Sequence, residues 1–361
     1  MRADRNDVAL ETLFLPFSEG RLPWPANGAL FLRARDGFPL HQQPLPGLVC
    51  EQSFKPEADA LSHAGFAVNT SGPAQTYELV LVLPPRQRDE ARALMARAVS
   101  LTRLGGRVIA CQSNDEGARS TEADLARLAG DVESQSKNKC RVFWTAPLAR
   151  NADSPLVSEW RELDAVRTIA DGRFVSRPGI FAWDRIDVAS ALLAETLPAG
   201  LTGRAADLGA GFGYLSAELL TRCPGITSID VYEAENRALE LARTNLQSFE
   251  ARAEIKYLWH DVGAGLSGTY DVIVTNPPFH AQRGIDRPDI GKRFITVAAE
   301  SLRPGGRLWL VANRHLPYEA VLTGSFDMVR TVVQKHGYKI IQAVRTKSAG
   351  AKASAAKRSS R

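Results

Sequence analysis

Three features in the second half of the chain combine residue types and spacings that can bind a small molecule and transfer a group. The first is Asp207-Leu-Gly-Ala-Gly-Phe-Gly213, entered through Ala205-Ala206 and followed by Tyr214 to Leu220. It reads as a short strand, a glycine turn and a helix. Glycines at Gly209, Gly211 and Gly213 allow positive φ and a close approach of backbone to ligand. The start of the helix offers free N–H groups. A dinucleotide fingerprint reads G-x-G-x-x-G. Here the spacing is G-x-G-x-G with Asp207 two residues ahead. An acid there repels pyrophosphate and suits an ammonium group, which favours a cationic amino-acid ligand over NAD.

The second feature is a pair of acids at successive strand ends. A strand is predicted over 226–232 and ends at Glu233, and a helix over 237–246 follows. Asp261 comes after Lys256-Tyr-Leu-Trp-His260, the next predicted strand. An acid at the end of the second strand can accept both hydroxyls of a ribose. Asp261 can bond an adenine amine; the bland alternative for it alone is a solvated turn acid. An amino acid, a ribose and an adenine laid across the carboxyl ends of a parallel sheet suit S-adenosylmethionine.

The third feature is Asp271-Val-Ile-Val-Thr-Asn-Pro-Pro-Phe279, a buried strand running into a rigid loop. Proline fixes φ and removes N–H donors. The loop therefore presents acceptors, the Asn276 side-chain oxygen and the Pro277 carbonyl, with Pro278 stiffening the turn. Two acceptors at a fixed separation can hold both hydrogens of a planar amino group and help restore its delocalised lone pair. Phe279 can stack on a base turned out of its helix. The bland alternative is a structural Pro-Pro turn, and Leu83-Pro84-Pro85 shows that the chain uses one elsewhere. Guanine N2, adenine N6 and a glutamine side-chain amide all fit these acceptors.

These residues resemble the class I methyltransferases that act on amino groups. More narrowly, they resemble the ribosomal RNA guanine-N2 methyltransferase family, above all its 16S small-subunit methyltransferase C branch. The resemblance rests on Pro178-Gly-Ile-Phe-Ala-Trp-Asp-Arg-Ile-Asp-Val-Ala-Ser190, the loop 207–213, Asn276-Pro-Pro-Phe-His280, and Pro304 through Val311-Ala-Asn-Arg-His-Leu-Pro-Tyr318. It extends over nearly the whole chain. Ala182-Trp183 stands where the family commonly shows Ser-Arg. The resemblance implies methyl transfer from S-adenosylmethionine to a guanine N2 of 16S ribosomal RNA, within the 30S subunit or its precursor. It also implies a degenerate N-terminal methyltransferase copy. A monomer is expected, and the scattered cysteines read as reduced thiols in the cytoplasm. Large-subunit (23S) guanine-N2 enzymes share most of these motifs. A non-catalytic RNA-binding assembly factor is the non-enzyme alternative, and the intact glycine loop and Asn276 speak against it.

An internal repeat supplies the elements that must position these residues. Tyr77-Glu-Leu-Val-Leu-Val-Leu-Pro-Pro85 matches Tyr270 to Pro278, and Leu104-Gly-Gly-Arg-Val-Ile-Ala110 matches Pro304-Gly-Gly-Arg-Leu-Trp-Leu310. Helical patterns over 89–101 and 292–302 lie between the members of each pair. The expected fold is α/β, with two tandem Rossmann-like methyltransferase domains arising by duplication. The N-terminal copy, residues 1–150, lacks the glycine loop and has Leu83 where the second copy has Asn276. The catalytic copy spans 151–345, after the polar run 149–155, and a basic tail expected to be disordered spans 346–361.

Composition bounds the rest. The net charge of +5 divides into +1 for residues 1–150, −2 for 151–344 and +6 for 345–361. RNA binding must therefore use local patches. Arg283, Arg287, Lys292 and Arg293 form one such basic stretch beside the motif, where phosphates could be neutralised, or where the run is simply a solvated face. His280 could touch RNA or a leaving proton, or be a packing or surface residue, and His315 and Tyr318 could cap the pocket or serve structure. Four scattered cysteines, Cys50, Cys111, Cys140 and Cys223, form neither a disulfide framework nor a CxxC pair. Neither metal-ligand spacing nor a Ser-His-Asp arrangement stands out. No apolar run approaches the ~20 residues of a membrane span, and the N-terminus lacks the apolar stretch of a secretory signal.

Overall fold

The computed structural model describes residues 7–70, 75–149, 154–278 and 288–345. Its contacts divide the chain into two units, Met1–Arg167 with Arg177–Gly179, and Thr168–Ser176 with Ile180–Arg361. In the first unit the strands are β1 (Ala29–Leu32), β2 (Leu48–Glu51), β3 (Ala67–Asn69), β4 (Tyr77–Val82), β5 (Thr102–Ser113), β6 (Val132–Lys137) and β7 (Cys140–Thr145). They form a seven-stranded sheet ordered β3-β2-β1-β4-β5-β7-β6. A two-stranded ladder follows, β8 (Arg167–Ile169) with β9 (Phe174–Ser176).

The second unit contains β10 (Thr202–Leu208), β11 (Gly225–Glu233), β12 (Glu254–Trp259), β13 (Tyr270–Thr275), β14 (Leu302–Asn313), β15 (Met328–Lys335) and β16 (Tyr338–Val344). Their order is β12-β11-β10-β13-β14-β16-β15, the first sheet repeated strand for strand. In both sheets the first five strands run parallel and the last two pair antiparallel. The duplication expected from the repeat is therefore a duplication of topology. The Gly-Gly pairs are not separate turns ahead of a strand. They lie inside the twelve-residue strands β5 and β14, beside register shifts against β4 and β13.

The first unit runs on to Arg167, further than the change in composition near residue 150 suggests. The helix Pro155–Arg161, capped by Ser154, buries Val157 and Trp160 in one core with Met95 and Val99 of the helix Arg88–Ser100. The guanidiniums of Arg92 and Arg127 stand 4.8 and 4.9 Å from the Trp160 ring. Residues 150–153 of the expected linker and the tail 346–361 lie outside the described residues. Among those described, no helix is long and apolar enough to cross a membrane.

The second sheet is covered on both faces, and the side alternates along each strand as a strand's period of two requires. Ala205, Ile229, Val231, Val272, Val274 and Val311 face one core with the helices Val188–Thr196, Tyr214–Arg222 and Asn236–Leu246. Ala206, Leu208, Ile273, Leu308 and Leu310 face the other with the helices Pro288–Ser301 and Glu319–Ser325. In this second core Tyr318 is 1% exposed, and its hydroxyl has no hydrogen-bond partner. A Cβ at Gly291 would fall 1.8 Å from that hydroxyl oxygen. Gly291 is thus the space into which Tyr318 packs. Gly291→Ala is expected to cost about 1–3 kcal/mol of stability. Tyr318→Phe, which deletes an unpaired buried hydroxyl, is expected to be neutral or stabilising. In thermal unfolding the double variant should lose less than Gly291→Ala alone, and an equal loss would contradict this packing.

Candidate active site

The positions predicted to bind cofactor, Asp207 to Gly213, Glu233 and Asp261, and Asn276 to Pro278 all lie at or just beyond the carboxyl ends of strands in the second sheet. Because β12, β11, β10 and β13 run parallel, their carboxyl ends line up. Leu208 is in register with Tyr232 and with Thr275, and Glu233 with Trp259. Three inter-strand steps of about 4.8 Å place the loop holding Asp261 and the loop holding Asn276 roughly 14 Å apart. The Thr275 hydroxyl donates to the Leu208 carbonyl at 2.7 Å and so ties the two central strand ends together.

The glycine loop leaves β10 as expected. Gly209, Gly211 and Gly213 all have positive φ, +73°, +57° and +90°. At Gly213, which caps the helix Tyr214–Arg222, an added Cβ would also stand 3.2 Å from Ala242, so the loop is pressed against the helix Asn236–Leu246. At Gly211 an added Cβ would meet nothing within 4 Å, which leaves open space on that side. Asn245 anchors the loop from below. Its Nδ2 donates to the Phe212 carbonyl at 2.8 Å and to Val175 of β9 at 3.0 Å, and its Oδ1 accepts the Val175 N–H at 2.8 Å.

Asp207 is fully buried. Its Oδ2 accepts from the Ser216 hydroxyl at 2.7 Å, and its Oδ1 has no partner. Burial raises its pKa to about 7; the Glu233 charge adds to the rise and the Ser216 bonds oppose it. Such a group calls for a cation, so the donor set fits the ammonium expected from the sequence. Glu233 is partly buried, and burial likewise holds its carboxyl above the usual range. Its two oxygens accept the N–H groups of Gly211 at 2.7 Å and Glu235 at 2.8 Å. Each carboxylate oxygen can accept a second bond, so the anchoring leaves capacity for a diol. Asp261 lies two residues beyond β12, where its Oδ1 accepts the Gly263 N–H at 2.7 Å and caps a 3-10 turn.

Asn276 follows β13 directly and is partly buried, Pro277 is buried and Pro278 exposed. The Asn276 Nδ2 donates to Asp187 Oδ2 at 3.0 Å and to the Ser190 hydroxyl at 2.9 Å. The sequence had singled out the segment 178–190 without assigning these two residues a task. Asp187 ahead of an apolar run is an N-cap signal that marks the helix start there, but nothing local tells which distant loop it meets. Ser216 and Asn245 were missed for the same reason. Of the flanking candidates, Tyr318 is a core residue, and His315 is exposed. Phe279, His280, Arg283 and Arg287 lie outside the described residues. Among the described residues no group of three or more His, Cys, Asp or Glu is arranged to hold a metal.

The first unit shows the same edge without these groups. By register, Arg33, Ala34 and Arg35 stand where Gly209, Ala210 and Gly211 stand, and Leu83 where Asn276 stands. Arg33 keeps a left-handed φ of +54°. Its guanidinium pairs with the buried Glu90 at 3.0 Å, and Arg35 pairs with Asp7 at 3.1 Å. Gln52 takes the place of Glu233. It accepts the Phe54 N–H at 2.9 Å, as Glu233 accepts that of Glu235, and reaches the Ala34 carbonyl at 2.6 Å.

Comparison with known proteins gives this edge a context. Residues 171–342 match the family model described as methyltransferase small domain. The chain is 30% identical over 268 residues to ribosomal RNA small subunit methyltransferase C of Salmonella paratyphi A, covering 73% of this chain and 75% of that one. The protein of the same name from Citrobacter koseri is 30% identical over 266 residues with the same coverage. Among solved structures, the T. thermophilus 16S rRNA N2 G1207 methyltransferase (RsmC) in complex with AdoMet and guanosine superposes with a TM-score of 0.77 at 25% identity. The match covers 95% of this chain and 93% of that one. The two seven-stranded sheets thus agree with sequence kinship, and the chain belongs to the ribosomal RNA small subunit methyltransferase C family.

Proposed function

We propose that this chain transfers the methyl group of S-adenosylmethionine to the exocyclic N2 amine of a guanine in ribosomal RNA. We further assign it the 16S RNA of the small subunit or its precursor, as a cytoplasmic monomer. The observation that carries the reading is the pairing of two strand ends. Leu208, one residue beyond the unpaired buried carboxylate of Asp207, is hydrogen-bonded to Thr275, one residue before Asn276. A cation site and an amine-acceptor site therefore stand side by side.

Asp207 would hold the ammonium of the cofactor, the loop 209–213 its amino-acid end, Glu233 its ribose hydroxyls and Asp261 its adenine amine. Bound there, the cofactor supplies an electrophilic methyl whose leaving group is a neutral thioether. The chain's own contribution is to hold the amine. Asn276 Oδ1 and the Pro277 carbonyl accept its two N–H bonds, which turns the nitrogen lone pair away from the ring and toward the methyl. On transfer the nitrogen would gain the methyl, the electron pair of the C–S bond would stay with the thioether, and the surplus proton held toward Asn276 and Pro277 would leave to water. Phe279 is assigned the stacking face for the extruded base. The first unit, with arginines and Gln52 in place of the binding groups, is assigned to supporting the second domain and orienting RNA, without a cofactor of its own.

Asn276→Ala is expected to abolish methyl transfer to small subunits lacking the modification, while S-adenosylmethionine still binds with a Kd within about threefold of wild type. Retained activity would refute the assigned role. Titration calorimetry should return one cofactor per chain, and two would contradict the reading of the first unit. The pKa of Asp207 sets a pH dependence. Ammonium binding needs the ionised acid, so affinity should fall as pH drops below about 7, approaching tenfold per pH unit. Asp207→Asn should bind weakly and show no inflection there. Without ligand the sign reverses. A folded pKa of about 7 against 3.8 means that this acid's contribution to stability is present below pH 4 and lost as pH rises to 7. Asp207→Asn should therefore gain stability over wild type between pH 4.5 and 8, by on the order of 4 kcal/mol at the upper end. A pH-independent difference would count against a buried, unpaired carboxylate.

A further inference from the structure

We propose that Asp187 is a positioning residue for methyl transfer, whose carboxylate decides which end of the Asn276 amide faces the acceptor amine. The inference rests on the reading of Asn276 as an acceptor and adds what makes it one. A side-chain amide has a donor end and an acceptor end of nearly the same shape, and a half-turn about its last torsion exchanges them. A flipped Asn276 would aim N–H groups at an amine that is itself a donor. The bond that draws on the amine's hydrogens would be lost. Something must therefore select the orientation.

The surroundings of Asn276 contain a group that can do so. Its Nδ2 lies 3.0 Å from Asp187 Oδ2 and 2.9 Å from the Ser190 hydroxyl, so both of its N–H bonds have acceptors and Oδ1 is left for the site. A hydroxyl can donate or accept, and Ser190 tolerates either flip. An ionised carboxylate only accepts, and turning Oδ1 toward it would replace an attraction with a repulsion. Asp187 thus supplies the discrimination and Ser190 the second bond.

The carboxylate is itself held in place. Asp187 is the N-cap of the helix Val188–Thr196, and its Oδ2 accepts the Ser190 N–H at 2.8 Å. The helix is fastened to the sheet by Ala189, Leu192, Leu193 and Ala194, none more than 7% exposed. A cap alone would not need an acid, because serine, threonine and asparagine serve about as well. An acceptor-only side chain is needed only for the contact with Asn276.

That difference supplies the test. Asp187→Asn preserves the cap and the packing but presents an amide that can pair with Asn276 in either orientation. Single-turnover methyl transfer, cofactor Kd and thermal midpoint would be compared for Asp187→Asn, Asn276→Asp and the double variant. For Asp187→Asn we expect an unchanged midpoint, a cofactor Kd within about twofold and a transfer rate lower by about 100-fold, as for loss of one preorganised hydrogen bond in an active site. Asn276→Asp alone sets two carboxylates against each other and should be similarly slow. In the double variant the amide at 187 donates to the acid at 276, whose second oxygen can only accept, and the rate should recover at least tenfold over either single variant. A wild-type rate for Asp187→Asn, a double variant no faster than the slower single one, or losses of folding and cofactor binding that match the loss of rate would each overturn the proposal. Activity retained by Asn276→Ala would instead refute the underlying reading of Asn276, so the two failures are distinguishable.

Discussion

A carboxylate buried without a counter-charge governs the second unit. Asp207 sits at the end of a central strand with one oxygen on Ser216 and the other on nothing. Leaving a charge in that state is costly, and the group responds by holding its proton to about pH 7. The surrounding elements keep this strain in place. Asn245 pins the glycine loop, Glu233 ties it to the next strand, and Thr275 ties the strand on the other side. The result is a buried acid held at the carboxyl end of one strand, one strand away from Asn276. The proposed binding of a cationic cofactor at Asp207 would offset that cost.

The first unit shows what the fold does without that demand. The strand order is identical, and even the left-handed turn after the first strand persists, at Arg33 in place of a glycine. The polar groups are recombined into ion pairs, Arg33 with Glu90 and Arg35 with Asp7. Gln52 keeps the backbone contact that Glu233 makes but carries no charge. Packing of the two sheet faces maintains such a domain whether or not its edge does chemistry. This is why the fold outlasts the loss of a site.

Much of this was legible in the sequence because its signals are local. The glycine loop, the acids at two strand ends and the Asn-Pro-Pro turn each occupy a few consecutive residues. Strand–helix–strand periodicity placed them at one sheet edge, and the matched segments around Tyr77 and Tyr270 announced the duplication. The parts that were not legible are those made by distant pairs. Asp187 meets Asn276 across 89 residues, and Asn245 meets Val175 across 70. Nothing in a capping pattern or in the middle of a helix names such a partner. The end of the first unit eluded composition for a related reason. A polar stretch looked like a linker, yet Trp160 beyond it packs back into the first core. Tyr318 could have capped the pocket or packed in the core, and a glycine on another helix, Gly291, supplies the space that makes it a core residue.

The chemical identity of the product tests the account most directly. Full-length protein would be incubated with methyl-labelled S-adenosylmethionine and small ribosomal subunits lacking the modification, and the RNA digested to nucleosides for mass spectrometry. The expected result is label in N2-methylguanosine alone, approaching one per 16S RNA. Label in N6-methyladenosine, label in ribosomal protein, or no transfer by a folded protein that binds the cofactor would contradict it.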